Sequence, residues 1–358
     1  MRVDRKIRVL IVDDSAIVRK ILTDALAGEP DLEVVGTAPD PFVARDKILS
    51  LDPDVITLDI EMPRMDGLTF LKKLMHFHPL PAIVISSLAQ PSCRAALEAL
   101  SLGAIEVLAK PGGPYSVGEL RQSLGAKIRV AAATRPRPGM LVPPPATPRP
   151  PESANNLPQS TVIAIGASTG GTEAIAAVLG RLPESTPGVL IVQHIPAEFS
   201  RAFAARLNDK CPMEVREARE GDALHTGLAL VAPGDFHMVL QRRGGAYFVS
   251  IRGGPRVCYQ RPSVDVLFLS VAEAAGAESV GVLLTGMGSD GARGLLKMRQ
   301  TGSRTIAQDE ASCVVFGMPR EAVVLGAAEQ VLSLSAIPPA ILAKPARRRA
   351  ADSARPTG

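Results

Sequence analysis

The sequence predicts an α/β protein built from two doubly wound domains in tandem. The first is a five-stranded parallel sheet of the flavodoxin type, and the second is a mainly parallel sheet that carries an antiparallel hairpin. Three observations predict this. Apolar runs alternate with helical patterns along most of the chain. Several runs are apolar at every position, as strands covered on both faces require. A proline-dense stretch, RPRPGMLVPPPATPRPPESANNLPQS from Arg135 to Ser160, interrupts the alternation once. Proline removes backbone donors and favours extended chain, so this stretch reads as a semi-rigid linker. The expected division is therefore 1–130, a linker at 131–160, a second domain at 161–343 and a tail at 344–358.

In the first domain the runs IRVLIV, LEVVGTA, DVITL, AIVIS and IEVLA read as strands. The helical patterns between them are AIVRKILTDALAG, PFVARDKILSL, GLTFLKKLMHF and SCRAALEALSLG. Five β/α units of this kind wind into one sheet with helices on both faces. In the second domain TVIAIGA, GVLIVQHI, LALVAP, SVGVLLTG, TIAQ and QVLSL read as strands. TEAIAAVLGRL, FSRAFAARLN, VDVLFLSVAEAAG and DGARGLLKMRQTG read as helices. MVLQRRGGAYFVSIRGG breaks the pattern and reads as a hairpin about Gly244-Gly245. In sheets of this type function sits at the carboxyl ends of the strands.

Bulk composition narrows the function classes. The 358 residues suffice for two independent cores. No apolar run approaches the roughly 18 residues of a membrane span. The N-terminus MRVDRKIRVLIVDD enters a strand without the apolar region of a secretory signal, so a cytoplasmic protein is expected. Cys93, Cys211, Cys258 and Cys313 have no paired spacing, which argues against zinc and against a disulfide framework. Part of the net charge of +4 lies in the tail KPARRRAADSARPTG, which reads as a solvated end. Aromatics are 3% of the chain, and no basic face is interleaved with them, so no nucleic-acid partner is expected.

Polar residues gather at the ends of the first domain's strands. IRVLIVDD ends in Asp13 and Asp14, DVITLD in Asp59, AIVIS in Ser86, and IEVLA is followed by Lys110. Strands one and three are expected side by side, which brings three carboxylates to one edge. Like charges so placed need a cation, and Mg²⁺ suits two carboxylates plus water and a phosphoryl oxygen. A carboxylate can accept a phosphoryl group as an acyl phosphate, a lysine can offset the charge, and a hydroxyl can bond the new group. The stretches IRVLIVDDSAIVRKIL, DVITLDIEMPRMDGLTFL, AIVISS and GAIEVLAKP resemble the receiver domain of two-component response regulators along its whole length. The resemblance implies that Asp59 is phosphorylated by a histidine kinase. It implies that Asp13, Asp14 and Asp59 hold Mg²⁺ with a backbone carbonyl near Glu61, that Ser86 is the switch hydroxyl, and that Lys110 contacts the phosphoryl group. Ser87 is a second candidate for the hydroxyl. Receivers often carry an aromatic where GAIEV has Val107, so an aromatic reporter of phosphorylation is not expected here.

In the second domain VIAIGASTGG joins a strand to a helix through a small-residue turn. No lysine is near, as a phosphate loop would need, and Ser168 stands where a dinucleotide fingerprint needs glycine. The next strand ends in QHIP, at His194, and LLTGMGSDGARGLL supplies Asp290 at a third strand end. Taken alone, each residue could be a turn or capping residue. Together they offer a hydroxyl, a base that could take its proton and an acid that could orient the base. The backbone amides of Thr169 and Met287, each ahead of a helix, are candidate oxyanion donors.

TVIAIGASTGGTEAI, IVQHIPAEFS, LVAPGDFHM, YQRPSVDVLF and VLLTGMGSDGARGL resemble the catalytic domain of chemotaxis protein-glutamate methylesterases. The resemblance implies that the methylated cytoplasmic region of chemoreceptors is the substrate. Glutamyl γ-methyl esters would be hydrolysed and particular glutamines deamidated, with Ser168 as nucleophile, His194 as base and Asp290 as orienting acid. It also implies a chemotaxis histidine kinase as phosphodonor, contact with the membrane only through the receptors, and no cofactor for the hydrolysis. Arg261, in YQRPSVD, is a candidate for positioning the acidic receptor helix.

Overall fold

A computed structural model describes residues 5–87, 89–110, 114–134 and 157–343. In the N-terminal domain β1 (Ile7–Val12) is followed by α1 (Ala16–Leu26), β2 (Leu32–Ala38), α2 (Pro41–Leu51), β3 (Val55–Asp59) and α3 (Gly67–Phe77). Then come β4 (Ala82–Ser86), α4 (Gln90–Ser101), β5 (Glu106–Ala109) and α5 (Pro114–Ala133). The strand order β2-β1-β3-β4-β5 is parallel throughout. Every residue of β3 and β4 is buried, which is why these runs carry no polar alternation. Helix starts follow from local chemistry. Ser15, Asp40 and Asp66 each accept a backbone N–H in the first turn of α1, α2 and α3, and Pro41 supplies a pre-set φ at the head of α2. Helix α5 runs three residues beyond Val130, where the linker is expected to begin. The run KIRVAAA continues its helical pattern, and Leu124, Ile128 and Ala131 are buried against the sheet. Residues 135–156 of the expected linker, and the tail from 344, lie outside the described residues.

The C-terminal domain begins with β6 (Val162–Ala167), α6 (Gly171–Leu179), β7 (Val189–Gln193) and α7 (Ala197–Asn208). Short strands β8 (Glu214–Glu217), β9 (Ala223–Leu224) and β10 (Leu228–Val231) precede the hairpin of β11 (His237–Arg243) and β12 (Ala246–Arg252). Helix α8 (Val264–Ala274), β13 (Ser279–Leu283), α9 (Ala292–Gln300), β14 (Arg304–Gln308), α10 (Met318–Val324), β15 (Gln330–Leu332) and α11 (Ile337–Leu342) complete it. The main sheet is parallel, in the order β15-β14-β13-β6-β7-β10-β8. β11, β12 and β9 form a separate antiparallel sheet.

Gly244 and Gly245 both have positive φ, 58° and 86°, and close a two-residue turn between the paired Arg243 and Ala246. A turn of that hand matches the twist of the strands and favours glycine at both central positions. Two elements escape a reading by pattern. β8 is EVRE, an edge strand of three charged residues and one valine that is too short and polar to carry a strand signal, and β9 has only two residues.

The two domains pack directly on each other. Helix α4 lies against α7. One apolar cluster contains both Ala96 and Leu97 of α4 and Phe199 and Phe203 of α7. Val314, from the chain between β14 and α10, packs against the apolar cluster that includes Ile105 and Leu108.

Candidate active site

Strand register explains how the C-terminal site comes together. Ala167 of β6 is paired with Gln193 of β7, so the next residues, Ser168 and His194, face each other across two adjacent strand ends. The His194 N–H donates to Ala167 O at 3.1 Å and extends the ladder by one step. On the other side of β6, Leu283 of β13 is paired with Gly166, and the loop leaving β13 returns Asp290 to the same edge. His194 Nε2 and Asp290 Oδ2 are 2.8 Å apart, and both side chains are buried.

Asp290 accepts from four groups: His194 Nε2, Ser263 Oγ at 2.8 Å, Val264 N at 2.8 Å and Asp265 N at 3.0 Å. Burial pushes its pKa up, but the His194 hydrogen bond and charge and the two backbone donors outweigh that and hold it below the usual carboxylate range. An ionised Asp290 can only accept, so Nε2 carries the proton and Nδ1 is left as the basic nitrogen. Nδ1 is buried and has no hydrogen-bond partner. Ser168 Oγ makes no hydrogen bond to His194, so register and the orphan Nδ1, rather than a bond, relate the two residues.

The backbone around Ser168 is fixed. Its N–H donates to Thr285 O at 3.0 Å, and its carbonyl accepts from Gly171 N at 2.7 Å and Gln193 Nε2 at 2.9 Å. Thr285 Oγ1 donates to Thr169 O at 3.0 Å, and Gln308 Oε1 accepts from Thr285 N at 2.8 Å. Gln193, Thr285, Gln308 and Ser263 support the site, and none was picked out by motif. Gln193 had the clearest signal, since it lies in QHIP beside His194. Among the described residues neither Thr169 N nor Met287 N donates a hydrogen bond, which leaves both amides open to an oxyanion.

Gly286 shows how tightly the turn is built. A Cβ there would stand 2.3 Å from Met318 Sδ, 2.7 Å from Ser168 Cβ and 3.0 Å from Ser168 N. The thioether can move, but the Ser168 backbone cannot without breaking its ladder. Gly286→Ala is expected to lower stability by roughly 1–3 kcal/mol, the usual cost of overpacking. An unchanged urea midpoint would contradict this.

Arg261 is held within the fold. Its guanidinium bonds Asp235 Oδ1, at 2.7 Å from Nη2, and the Gly254 carbonyl. These bonds tie two loops together and leave two of its five N–H groups for another partner. The Arg261–Pro262 peptide bond is cis.

The first domain assembles its own polar edge. β1 and β3 are adjacent, and the carboxylate oxygens of Asp13, Asp14 and Asp59 lie within 4.8 Å of one another. Lys110 Nζ is 2.6 Å from Asp59 Oδ2 and 3.4 Å from Asp13 Oδ2. Asp13 Oδ2 is nonetheless buried without a hydrogen bond. Three hard oxygen donors, one of them unsatisfied, fit a divalent cation such as Mg²⁺. Burial pushes the Asp59 pKa up to about 6, with a further rise from the Asp13 charge, against the pull of Lys110. Burial likewise raises Asp13. Burial pulls Lys110 down, but Asp59 and Asp13 outweigh it and raise its pKa.

A pH dependence follows. Ionised Asp59 is penalised in the fold, so its contribution to stability falls as pH rises through about 6. Added Mg²⁺ is expected to raise the unfolding temperature of the first domain at pH 7 and to raise it less at pH 5, where a proton competes. Equal increments at the two pH values, by calorimetry with and without Mg²⁺, would contradict the assignment.

The hydroxyl candidates at the end of β4 both engage α4. Ser86 Oγ donates to Ser92 O at 3.3 Å, and Ser87 Oγ donates to Ser92 Oγ at 2.8 Å. Ser92 also bonds the Glu61 carboxylate. Val107 is buried on β5.

A carboxylate pocket on one parallel sheet, joined in one chain to a Ser–His–Asp cluster on another, defines a response regulator with an α/β output domain. The family model described as response regulator receiver domain matches residues 9–122, and that described as CheB methylesterase matches 163–341. The chain is 56% identical over 343 residues to protein-glutamate methylesterase/protein-glutamine glutaminase 2 of Syntrophus aciditrophicus, covering 93% of this chain and 97% of that protein. It is 52% identical over 341 residues to the protein-glutamate methylesterase/protein-glutamine glutaminase of Salmonella typhimurium, covering 95% and 97%. The crystal structure of the Thermotoga maritima CheB methylesterase catalytic domain aligns with a TM-score of 0.50 at 34% identity, covering 51% of this chain and 97% of that one. The chain belongs to the CheB methylesterase family.

Proposed function

We propose that this protein hydrolyses glutamyl γ-methyl esters in the cytoplasmic region of chemoreceptors and deamidates particular receptor glutamines. Phosphorylation of Asp59 by a chemotaxis histidine kinase raises that activity. The observation that carries the reading is the placement of Ser168 and His194 directly after the paired Ala167 and Gln193 at adjacent strand ends, with Asp290 2.8 Å from the imidazole. No helix among the described residues is long and apolar enough to cross a membrane.

The chemistry follows from the residues. Ser168 Oγ attacks the ester carbonyl carbon while its proton passes to His194 Nδ1, the nitrogen left free by the Nε2–Asp290 bond. The negative charge of Asp290 stabilises the imidazolium that forms. The open amides of Thr169 and Met287 receive the developing oxyanion. The tetrahedral centre collapses, His194 returns the proton, and methanol leaves. Water then attacks the acyl-serine by the same route and releases glutamate. A γ-amide follows the same steps with ammonia as the leaving group. No step needs a metal or organic cofactor.

In the receiver, Asp13, Asp14 and Asp59 would hold Mg²⁺, which offsets phosphoryl charge during transfer. Lys110 neutralises the acceptor side of Asp59. Ser86 bonds the new phosphoryl group and, in turning to it, gives up Ser92 O on α4. Helix α4 packs on α7, so a shift there favours an arrangement in which the catalytic edge is uncovered.

The test is methanol release from methylated receptor membranes, with and without a small-molecule phosphodonor. The phosphodonor is expected to raise the rate, and Asp59→Asn to abolish that rise while leaving the basal rate. Absence of methanol release under both conditions would end the esterase reading. A rate indifferent to phosphodonor would end the regulatory one.

A further inference from the structure

The residue after the candidate nucleophile is bonded across the domain boundary. Thr169 Oγ1 donates to Glu106 Oε2 of β5 at 2.6 Å. The same Oε2 is 3.1 Å from Lys127 Nζ of α5, which fixes the carboxylate from the receiver side. Thr169 is 5% exposed and the Glu106 side chain 12%, so the bond is shielded from solvent. It is made between charged and neutral groups, the stronger kind of hydrogen bond.

The chemistry of this contact is specific. A glutamate carboxylate, delivered by the receiver, lies beside the turn that holds Ser168. On the proposed reading, a glutamate carboxylate is also what the enzyme releases. We infer that the Thr169 hydroxyl marks the subsite for the γ-carboxyl group of the substrate's glutamyl side chain, and that Glu106 fills this subsite in the resting chain as an internal copy of the product. A hydroxyl suits both substrates, because it donates to an ester oxygen and can accept from an amide N–H. This rests on the esterase reading and goes beyond it. A covering domain would exclude substrate by bulk, whereas Glu106 competes with it for one donor.

The test uses the full, unphosphorylated chain and a short peptide bearing one glutamate, with its glutamine and alanine versions as comparisons. Binding is measured by calorimetry. E106A is expected to bind the glutamate peptide roughly tenfold or more tighter than the wild type, because the occupied fraction of the subsite is released. Adding T169V should remove the gain, and adding T169S, which keeps the hydroxyl, should retain it. Basal methanol release should rise in E106A and be inhibited by the same peptide. E106V, which suits a strand and offers the Thr169 hydroxyl no acceptor, serves if the alanine variant does not fold. Equal peptide binding by wild type and E106A, with methanol release intact, would overturn the inference and leave the esterase reading standing. No methanol release from any variant would overturn the esterase reading instead. A gain in E106A that survives T169V would also overturn the inference, since Glu106 would then act as a simple latch.

Discussion

Ser168→Ala is expected to lower methanol release from methylated receptors by roughly 10⁴-fold or more, the scale seen when a serine nucleophile is removed. Stability should barely change. Among the described residues every hydrogen bond that fixes Ser168 runs through its backbone, to Thr285, Gly171 and Gln193, and alanine keeps all of them. The urea midpoint should therefore match the wild type, and the loss should fall on the rate alone. A variant that retained a wild-type rate would remove Ser168 from the mechanism. A variant that lost both rate and fold would contradict the reading of the turn as backbone-held.

Asp290→Asn is expected to damage both properties. The wild-type carboxylate accepts from His194 and also from Ser263 Oγ, Val264 N and Asp265 N at the start of α8. An amide offers one acceptor oxygen and turns two donors toward groups that are themselves donors. The rate should drop roughly 10³–10⁴-fold through loss of the tautomer and of the counter-charge. Stability should fall by about 2–4 kcal/mol, as expected for a buried charged acceptor that also caps a helix. The sign with pH is defined. The folded pKa of Asp290 lies below its ordinary value, so its contribution is present at neutral pH and is lost as pH falls through the folded value. The gap between wild type and Asp290→Asn should therefore narrow in acid. A gap that widened there would contradict the assigned ionisation.

The strand-end logic made much of this site legible in the sequence. Ser168, His194 and Asp290 each follow an apolar run, and parallel register then brings such residues together. The same holds for Asp13, Asp59, Ser86 and Lys110. Partners that depend on non-local packing were not legible. Glu106 lies in GAIEV, a stretch that draws attention through the missing aromatic at Val107, yet its own importance needs the second domain to be in place. The partners of Arg261 were not legible either. Its motif offers a cation beside the site, and its bonds to Asp235 and the Gly254 carbonyl depend on how the intervening loops fold back. The β8 strand escaped because three charged residues and one valine at a sheet edge have no periodic signal to read.

The contact between Glu106 and Thr169 is made within one polypeptide, across residues 135–156. Its equilibrium is unimolecular, and the tether sets an effective concentration that dilution does not change. On the proposed reading, the ratio of covered to open enzyme is the same whether a cell holds few copies or many. Expression level then scales the basal and the stimulated rates together and leaves their ratio untouched. That ratio is written into the chain by the strength of a few bonds, and every 1.4 kcal/mol by which the phosphoryl group reweights them changes it about tenfold.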